Sequence, residues 1–325
     1  MIPRMRYVTP PAPVAIAGLR AMKCIAQADG GPLPEATRNL LHAAQRHVLG
    51  VNEDLEALAP IEPDELARII VDPVLRRQFA QGMTVVSLSS GTPSQATVAQ
   101  VERFAAALGI DAPEVDVIRK LVHHHFTLFK LDFLRRSHIA DMVKQQAAHH
   151  GFVGLLKGLA TFRGVYEDTA LAERYRGLEA LPEGTLGKEL FHYIKRNGFA
   201  FPGEKFGFPE AGIYHDLAHV LSGYATDSPG EIQVGGFIAG FKTENPFFVI
   251  LFIMLTFGAG VNVTPIEQPH VEGILAQEGL ADRFFLAVKR GMAMKVDISD
   301  GWDHWQWVDR PIEEVRAALG VPPPA

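Results

Sequence analysis

His215, Asp216, His219 and Glu231 are the residues whose types and spacing bring the most chemistry to one place in this chain. They lie in YHDLAHVLSGYATDSPGE, residues 214–231, inside a run that otherwise reads as a buried helix. Polar groups in such a run are costly unless neighbours satisfy them or they hold something. On a helix, His215 and His219 stack one above the other, so a ring nitrogen of each can reach a single ion. Asp216 comes near the same face. Gly223 ends the helix, Asp227-Ser228-Pro229 restarts the chain, and Glu231 stands one turn into the next helix. If the two helices pack as an antiparallel pair, two imidazoles and one or two carboxylates surround one point. That donor set suits Zn²⁺, Fe²⁺ or Mn²⁺ better than Ca²⁺, because imidazole is a borderline ligand. It also leaves coordination positions open, as a catalytic metal requires.

A structural role competes with this one. Ser228-Pro229-Gly230-Glu231 reads as a capping box, in which Glu231 bonds the Ser228 amide. Histidine pairs four residues apart also recur in packed cores. The nearest mechanistic analogue is the HExxH motif, in which the glutamate is base for a zinc-bound water. Here Asp216 takes that place, shorter by one methylene, which leaves a metallohydrolase with Asp216 as catalytic base among the alternatives.

The elements that must position these residues are helical. Apolar residues recur at helical spacing along the chain, with no convincing alternating strand run, so the expected fold class is all-α. The helices expected around the site are 186–197, 210–223, 229–241, 246–258 and 279–293. Thr264-Pro265-Ile266-Glu267 reads as a further capping box. Gly235, Gly236, Ala239 and Gly240 give the helix after the motif a face without bulk, open either to close helix packing or to a groove for a chain-like apolar ligand. Phe247 and Phe248 open the most apolar segment, Phe247 to Ala259. It is shorter than the ~20 residues a membrane-spanning helix needs, and reads as a buried helix or as the wall of an apolar cavity.

The N-terminal third repeats itself. MKCIAQADGGP (22–32) aligns with MTVVSLSSGTP (83–93), and VLGV (48–51) with ALGI (107–110). Two copies of helix, Gly-rich loop and helix suggest a pseudo-symmetric bundle. Asp29 and Glu35 flank the first loop and form a weak second candidate for a hard cation. Ser90 and Ala96 replace them in the second loop, and two carboxylates are few for such an ion. Structural roles in the turn and at a helix start compete. The Ala28-Asp29-Gly30…Glu35 loop and its echo at Ser89-Ser90-Gly91 make this third resemble the TerB-like tellurite-resistance domain, an all-helical family with such a loop in each half.

Residues 119–157 hold seven Lys or Arg against two Asp, with Phe126, Phe129 and Phe133 at helical spacing. This reads as a connecting amphipathic helix. A membrane-surface role is the alternative. His123-His124-His125 cannot converge on one ion from a regular helix. The expected organisation is a pseudo-repeat helical domain over 1–125, a connecting helix over 126–150 and a helical metal- and lipid-binding domain over 151–325.

Composition bounds the rest. A net charge of -6 in 325 residues gives no reason to expect nucleic acid as a partner. Cys24, the only cysteine, excludes an internal disulfide and suits a reducing, cytoplasmic compartment. The N-terminal stretch, interrupted by prolines, does not read as a secretory signal.

His215-Asp216-x-x-His219, eleven residues, then Glu231 resembles the HDxxH-x11-E signature of the coenzyme Q biosynthesis protein four family. Leu181-Pro182-Glu183-Gly184-Thr185-Leu186-Gly187 is similar to that family's LPxGTxG turn. Trp302-Asp303-His304 is similar to its Trp-rich segment, and Asp309-Arg310-Pro311 through Arg316 and Leu319-Gly320 to its C-terminal helix. The resemblance spans about residues 150–325. It implies an all-helical protein peripheral to the inner membrane face that binds isoprenoid or prenylated aromatic lipids and contacts other biosynthetic enzymes. The motif residues His215, Asp216, His219 and Glu231 would then be metal ligands. The implied activity is oxidative decarboxylation of a prenylated benzoate in ubiquinone biosynthesis, with Gly235, Gly236, Ala239, Gly240, Phe247 and Phe248 around the lipid. A non-catalytic scaffold for lipid-biosynthetic enzymes is the alternative. Self-association into a homo-oligomer is expected.

Overall fold

The computed structural model describes residues 7–110, 113–122, 160–161, 163–262 and 270–323. Among them the protein is all-α: thirteen α-helices, short 3₁₀ and π turns, and two isolated β-bridges in place of any sheet. No described helix is long and apolar enough to cross a membrane. The His123-His124-His125 cluster, the 126–150 connecting segment and the Thr264–Glu267 capping box lie outside the described residues.

The chain divides into two compact units that are not contiguous in sequence. One takes its described residues from Arg6–Arg136 and Phe247–Leu286, the other from Ser137–Pro246 and Ala287–Ala325. Thus Phe247 and Phe248, expected in the domain over 151–325, fall in the same unit as the N-terminal helices.

The first unit contains α1 (Ala12–Ala26), α2 (Glu35–Ala44, continued by a π turn Gln45–Leu49), α3 (Pro63–Ile69), α4 (Pro73–Ser87), α5 (Gln95–Ala107) and α6 (Pro113–Val122). The sequence repeat is visible in its packing. Gly18 of α1 makes room for the Phe79 ring of α4, and Gly82 of α4 makes room for Met22 of α1. The Gly-rich loops exchange hydrogen bonds in the same reciprocal way. Asp29 accepts from Thr97 Oγ1 at 3.3 Å and from Ser94 Oγ at 2.8 Å, while Thr37 Oγ1 donates to Ser90 Oγ at 3.4 Å.

Each loop residue therefore braces the start of the opposite half's second helix. That accounts for Asp29 without a cation. Glu35 is exposed in the first turn of α2, where the helix dipole favours it, and neither belongs to a described cluster able to hold a metal. Asp29→Ala is expected to cost about 1 kcal/mol, as the loss of a capping interaction does, and to leave bound metal unchanged. Thermal unfolding and elemental analysis of the variant check both halves of that statement.

In this unit also lies α11 (Pro246–Ile253), with a π turn Met254–Gly258. Phe247, Phe248 and Leu251 are buried in it, as an apolar run without polar alternation dictates.

The second unit contains α7 (Thr169–Arg176), α8 (Leu186–Arg196), α9 (Ile213–Ser222), α10 (Ser228–Phe241), the C-terminal part of α12 (Leu280–Met292) and α13 (Ile312–Leu319). Their starts follow the capping rules. Asp168 accepts from the Leu171 amide and Thr185 from that of Lys188. The turn 181–187 is tied to the chain before α13. Leu186 N donates to Arg310 O at 2.9 Å, Gly187 N to Val308 O at 2.8 Å and Ile312 N to Gly184 O at 2.8 Å. A Cβ at Gly187 would fall 2.6 Å from Leu181 and 2.9 Å from Val308, so glycine is needed for that close approach.

The small face of α10 packs against a helix. A Cβ on Gly240 would lie 2.2 Å from the Val288 carbonyl, and one on Gly291 would lie 2.0 Å from the Phe237 carbonyl. Gly240, expected beside a lipid groove, instead lets the backbones of α10 and α12 touch. Gly235, Gly236 and Ala239 are buried on the same helix.

Candidate metal centre

The centre is built at the facing ends of α9 and α10. The end of α9 is fixed by donors to the carbonyls that a helix leaves unpaired. Arg316 donates to Leu221 O at 2.9 Å and to Val220 O at 3.0 Å, and buried Arg290 donates to Ser222 O at 3.2 Å. Gly223, at φ 79°, closes the helix in the left-handed region and returns its amide to His219 O. The chain then turns through Tyr224–Thr226 into α10. Gly230 passes so close to this turn that a Cβ would meet the Ala225 carbonyl at 2.1 Å. That contact brings the next residue, Glu231, to the histidines.

The N-cap of α10 is Asp227, one residue before the Ser228 cap expected from the capping box. Its carboxylate accepts from the Gly230 amide at 2.9 Å. The shorter cap releases Glu231 from the capping role, and its carboxylate turns to the imidazoles.

Three ligand-type atoms converge. Glu231 Oε2 lies 3.4 Å from His215 Nε2, Glu231 Oε1 lies 3.2 Å from His219 Nε2, and one ligand atom from each residue lies within 4.8 Å of the others. A tetrahedral ion with bonds near 2.0–2.1 Å separates its ligand atoms by ~3.3 Å, so the two imidazole–carboxylate gaps fit an ion between them. The rings of His215 and His219 are 4.8 Å apart at 71°.

The His219 side chain is fully buried. Its Nδ1 donates to the Tyr224 carbonyl at 3.0 Å, which leaves Nε2 as the nitrogen free to bind. Although it lies close to Glu231, that Nε2 makes no hydrogen bond of acceptable geometry and is one of two buried polar side-chain atoms left without a partner among the described residues. An orphaned buried nitrogen aimed at a carboxylate calls for an explanation, and a metal ion supplies one. The residues present fit such an ion.

Asp216 is placed differently from the expected ligand set. Its Oδ1 lies 3.8 Å from His215 Nδ1, on the ring edge away from Glu231, and it is outside the three-residue convergence. That is an ion-pair distance, longer than a hydrogen bond. In this position Asp216 acts on the His215 ring through its charge.

The charges are strongly coupled. Burial alone would pull the His215 imidazolium down, but the neighbouring carboxylates of Asp216 and Glu231 outweigh it and lift His215 to about 10. Burial alone would raise Glu231, but the two histidines outweigh it and lower Glu231 to about 2. His215 is raised, so without metal its contribution to stability is complete below ~6.5 and is lost as pH rises through about 10. Glu231 is lowered, so its contribution is present above ~4.5 and is lost as pH falls through about 2.

A metal must displace the His215 proton. The apparent affinity is therefore expected to rise about tenfold per pH unit from 7 toward 10, with about one proton released per ion. Calorimetry in buffers of different ionisation enthalpy measures that proton. An affinity independent of pH would contradict this coupling. The His215 side chain is 38% exposed, so added salt should weaken the effect.

Residues outside the motif complete the surroundings. Tyr193 of α8 stacks on His219, with ring centroids 5.4 Å apart and planes 24° apart. Behind Asp216, the Tyr175 hydroxyl donates to Glu210 Oε1 at 3.1 Å, and Trp305 Nε1 donates to the same oxygen at 3.0 Å. His304 Nε2 lies 3.0 Å from the Tyr175 oxygen. With the Tyr175 proton committed to Glu210, His304 must donate from Nε2. Burial brings His304 down to about 4, so it is neutral there. His304 of the Trp302-Asp303-His304 stretch thus joins a partly buried polar cluster around Tyr175. Tyr193, Tyr175 and Arg290 carried no signal of their own in the sequence, because each lies on a different helix from the motif.

No protein-family model matches the chain, and no curated protein matches it.

Proposed function

We propose that the chain is a metal-dependent, prenyl-lipid-binding protein of ubiquinone-type biosynthesis. The observation that carries this reading is the buried His219 Nε2, without a hydrogen bond, facing Glu231 with His215 beside it. The motif resemblance supplies the reaction class. A ring carboxyl leaves as CO₂ and a hydroxyl takes its place, one oxygen atom of dioxygen entering the ring and the other leaving as water with two electrons and two protons from an external reductant. A divalent metal in this site would supply Lewis acidity or, if iron or manganese, redox chemistry toward dioxygen.

The protein's own residues divide the remaining work. His215, His219 and Glu231 hold the ion. Asp216 places a negative charge beside His215, Tyr193 packs the His219 ring in place, and Arg316 with Arg290 fixes the C-terminal end of the helix that carries both histidines. A hydrolytic role for Asp216 is less well supported, because its carboxylate lies behind His215 and not among the converging atoms.

The test supplies metal-loaded protein with a prenylated hydroxybenzoate, a reductant and air, and measures released CO₂. Oxygen-dependent release that is lost in His215→Ala supports the reading. Ester or amide hydrolysis without oxygen would replace it with the hydrolase. Retained metal with no turnover of either kind would favour the scaffold.

A further inference from the structure

Asn197, the residue after α8, ties together the two groups that hold the His219 ring. Its Nδ2 donates to the Tyr193 carbonyl at 2.8 Å, and its Oδ1 accepts from Thr226 Oγ1 at 3.0 Å. The Tyr193 ring stacks on the imidazole, and Thr226 ends the turn whose Tyr224 carbonyl accepts from His219 Nδ1. The amide can lie only one way. A carbonyl has no proton to give, so the nitrogen must face Tyr193 and the oxygen Thr226. The backbone does not ask for asparagine. Asn197 has φ -88° and ψ 0°, within the right-handed region, and the left-handed position that ends the helix falls to Gly198 at φ 68°. What distinguishes the residue is the link its side chain makes between the end of α8 and the turn before α10.

We propose that Asn197 is a positioning residue for His219. Its amide sets the spacing between α8 and the turn, so that the Tyr193 ring and the Tyr224 carbonyl bear on the imidazole together. The inference rests on reading the triad as a metal centre. A histidine binds an ion through one nitrogen while a partner holds the proton on the other, and loss of such a partner costs about 10–100-fold in metal affinity. The Tyr224 carbonyl is that partner here. The turn that carries it has two side-chain ties. Ser222 Oγ accepts from the Tyr224 amide at 3.3 Å at its near end, and Asn197 accepts from Thr226 at its far end. Releasing the far end lets the carbonyl move off Nδ1, and Nε2 then loses its fixed direction toward the ion.

The experiment titrates the full-length protein with Co²⁺ and follows the visible absorption, which reports ligand geometry, beside thermal unfolding without metal. Thr226→Val removes the hydroxyl and keeps the shape of the side chain. Thr226→Ser keeps the hydroxyl, and Asn197→Ala removes both hydrogen bonds. Thr226→Val and Asn197→Ala are each expected to weaken cobalt binding about tenfold, the low end of the loss for a group that supports a ligand, and to alter the cobalt absorption. Thr226→Ser is expected to keep both the affinity and the spectrum of the unmodified protein. The double variant Asn197→Ala/Thr226→Val is expected to bind cobalt no more weakly than Asn197→Ala, because residues that act through one link do not add. Lower unfolding temperatures with cobalt affinity and absorption unchanged would overturn the proposal and leave the metal centre standing, as would losses of affinity that add. Should Asn197→Ala fail to fold, the contrast between Thr226→Val and Thr226→Ser carries the test alone. Failure of the unmodified protein to take up cobalt would overturn the metal reading, and this proposal with it.

Discussion

His219→Ala is expected to lower the affinity for Zn²⁺, Fe²⁺ or Mn²⁺ by more than about 100-fold. Loss of a group that merely supports a metal ligand already costs 10–100-fold, and His219 is placed as a ligand itself. Its ring is held on three sides: Nδ1 by the Tyr224 carbonyl, one face by Tyr193, and Nε2 opposite Glu231 Oε1 at 3.2 Å. Alanine removes one of three donors and cannot be replaced by rotation of a neighbour. Competition with a chromophoric chelator measures the change.

A stability readout separates ligation from packing. Metal at 100 times its Kd should stabilise the unmodified protein by about 2.7 kcal/mol and the variant by nothing measurable. Glu231→Gln, which keeps the shape and removes the charge, should lose metal as well. A His219→Ala protein that still shows metal-induced stabilisation would mean that the triad is not the site.

Gly291→Ala is expected to destabilise the second unit by about 3 kcal/mol, at the upper end of overpacking costs. The added methyl would lie 2.0 Å from the Phe237 carbonyl and 3.0 Å from the Gly240 Cα. Both obstacles are backbone, so no rotamer change relieves the clash and α12 must move from α10. About 3 kcal/mol corresponds to a fall of roughly 6–12 °C in the unfolding temperature for a unit of this size. The same shift would displace Arg290, one residue earlier, from Ser222 O at the end of α9, so metal affinity should fall with stability. A Gly291→Ala protein of unchanged melting temperature would contradict the observed contact.

Much of this could be read from the sequence, for reasons particular residues make plain. The all-α class follows from periodicity, and the helices around the site lie within a few residues of their expected ends because Pro229, Gly223 and Gly320 mark them locally. The convergence of His215 and His219 needs only one helix, and the approach of Glu231 only a short connection. What sequence could not supply was contact between distant segments. Tyr193, Arg290 and Arg316 reach α9 from three other helices. The α10 cap moved by one residue because Asp227 competes with Ser228 for the same amides. The small face of α10 reads equally as a groove or as a helix contact, and only the position of Gly291 shows that at Gly240 it is the latter. Likewise, the apolar run beginning at Phe247 announces burial but not in which unit it is buried.

Elemental mass spectrometry of the purified protein, beside a His215→Ala/His219→Ala variant, tests the central claim most directly. Near one equivalent of zinc, iron or manganese in the unmodified protein, absent from the variant, is the expected result. No metal in either, with reconstitution also failing, would contradict it, and His215, His219 and Glu231 would then be a polar clasp between two helices.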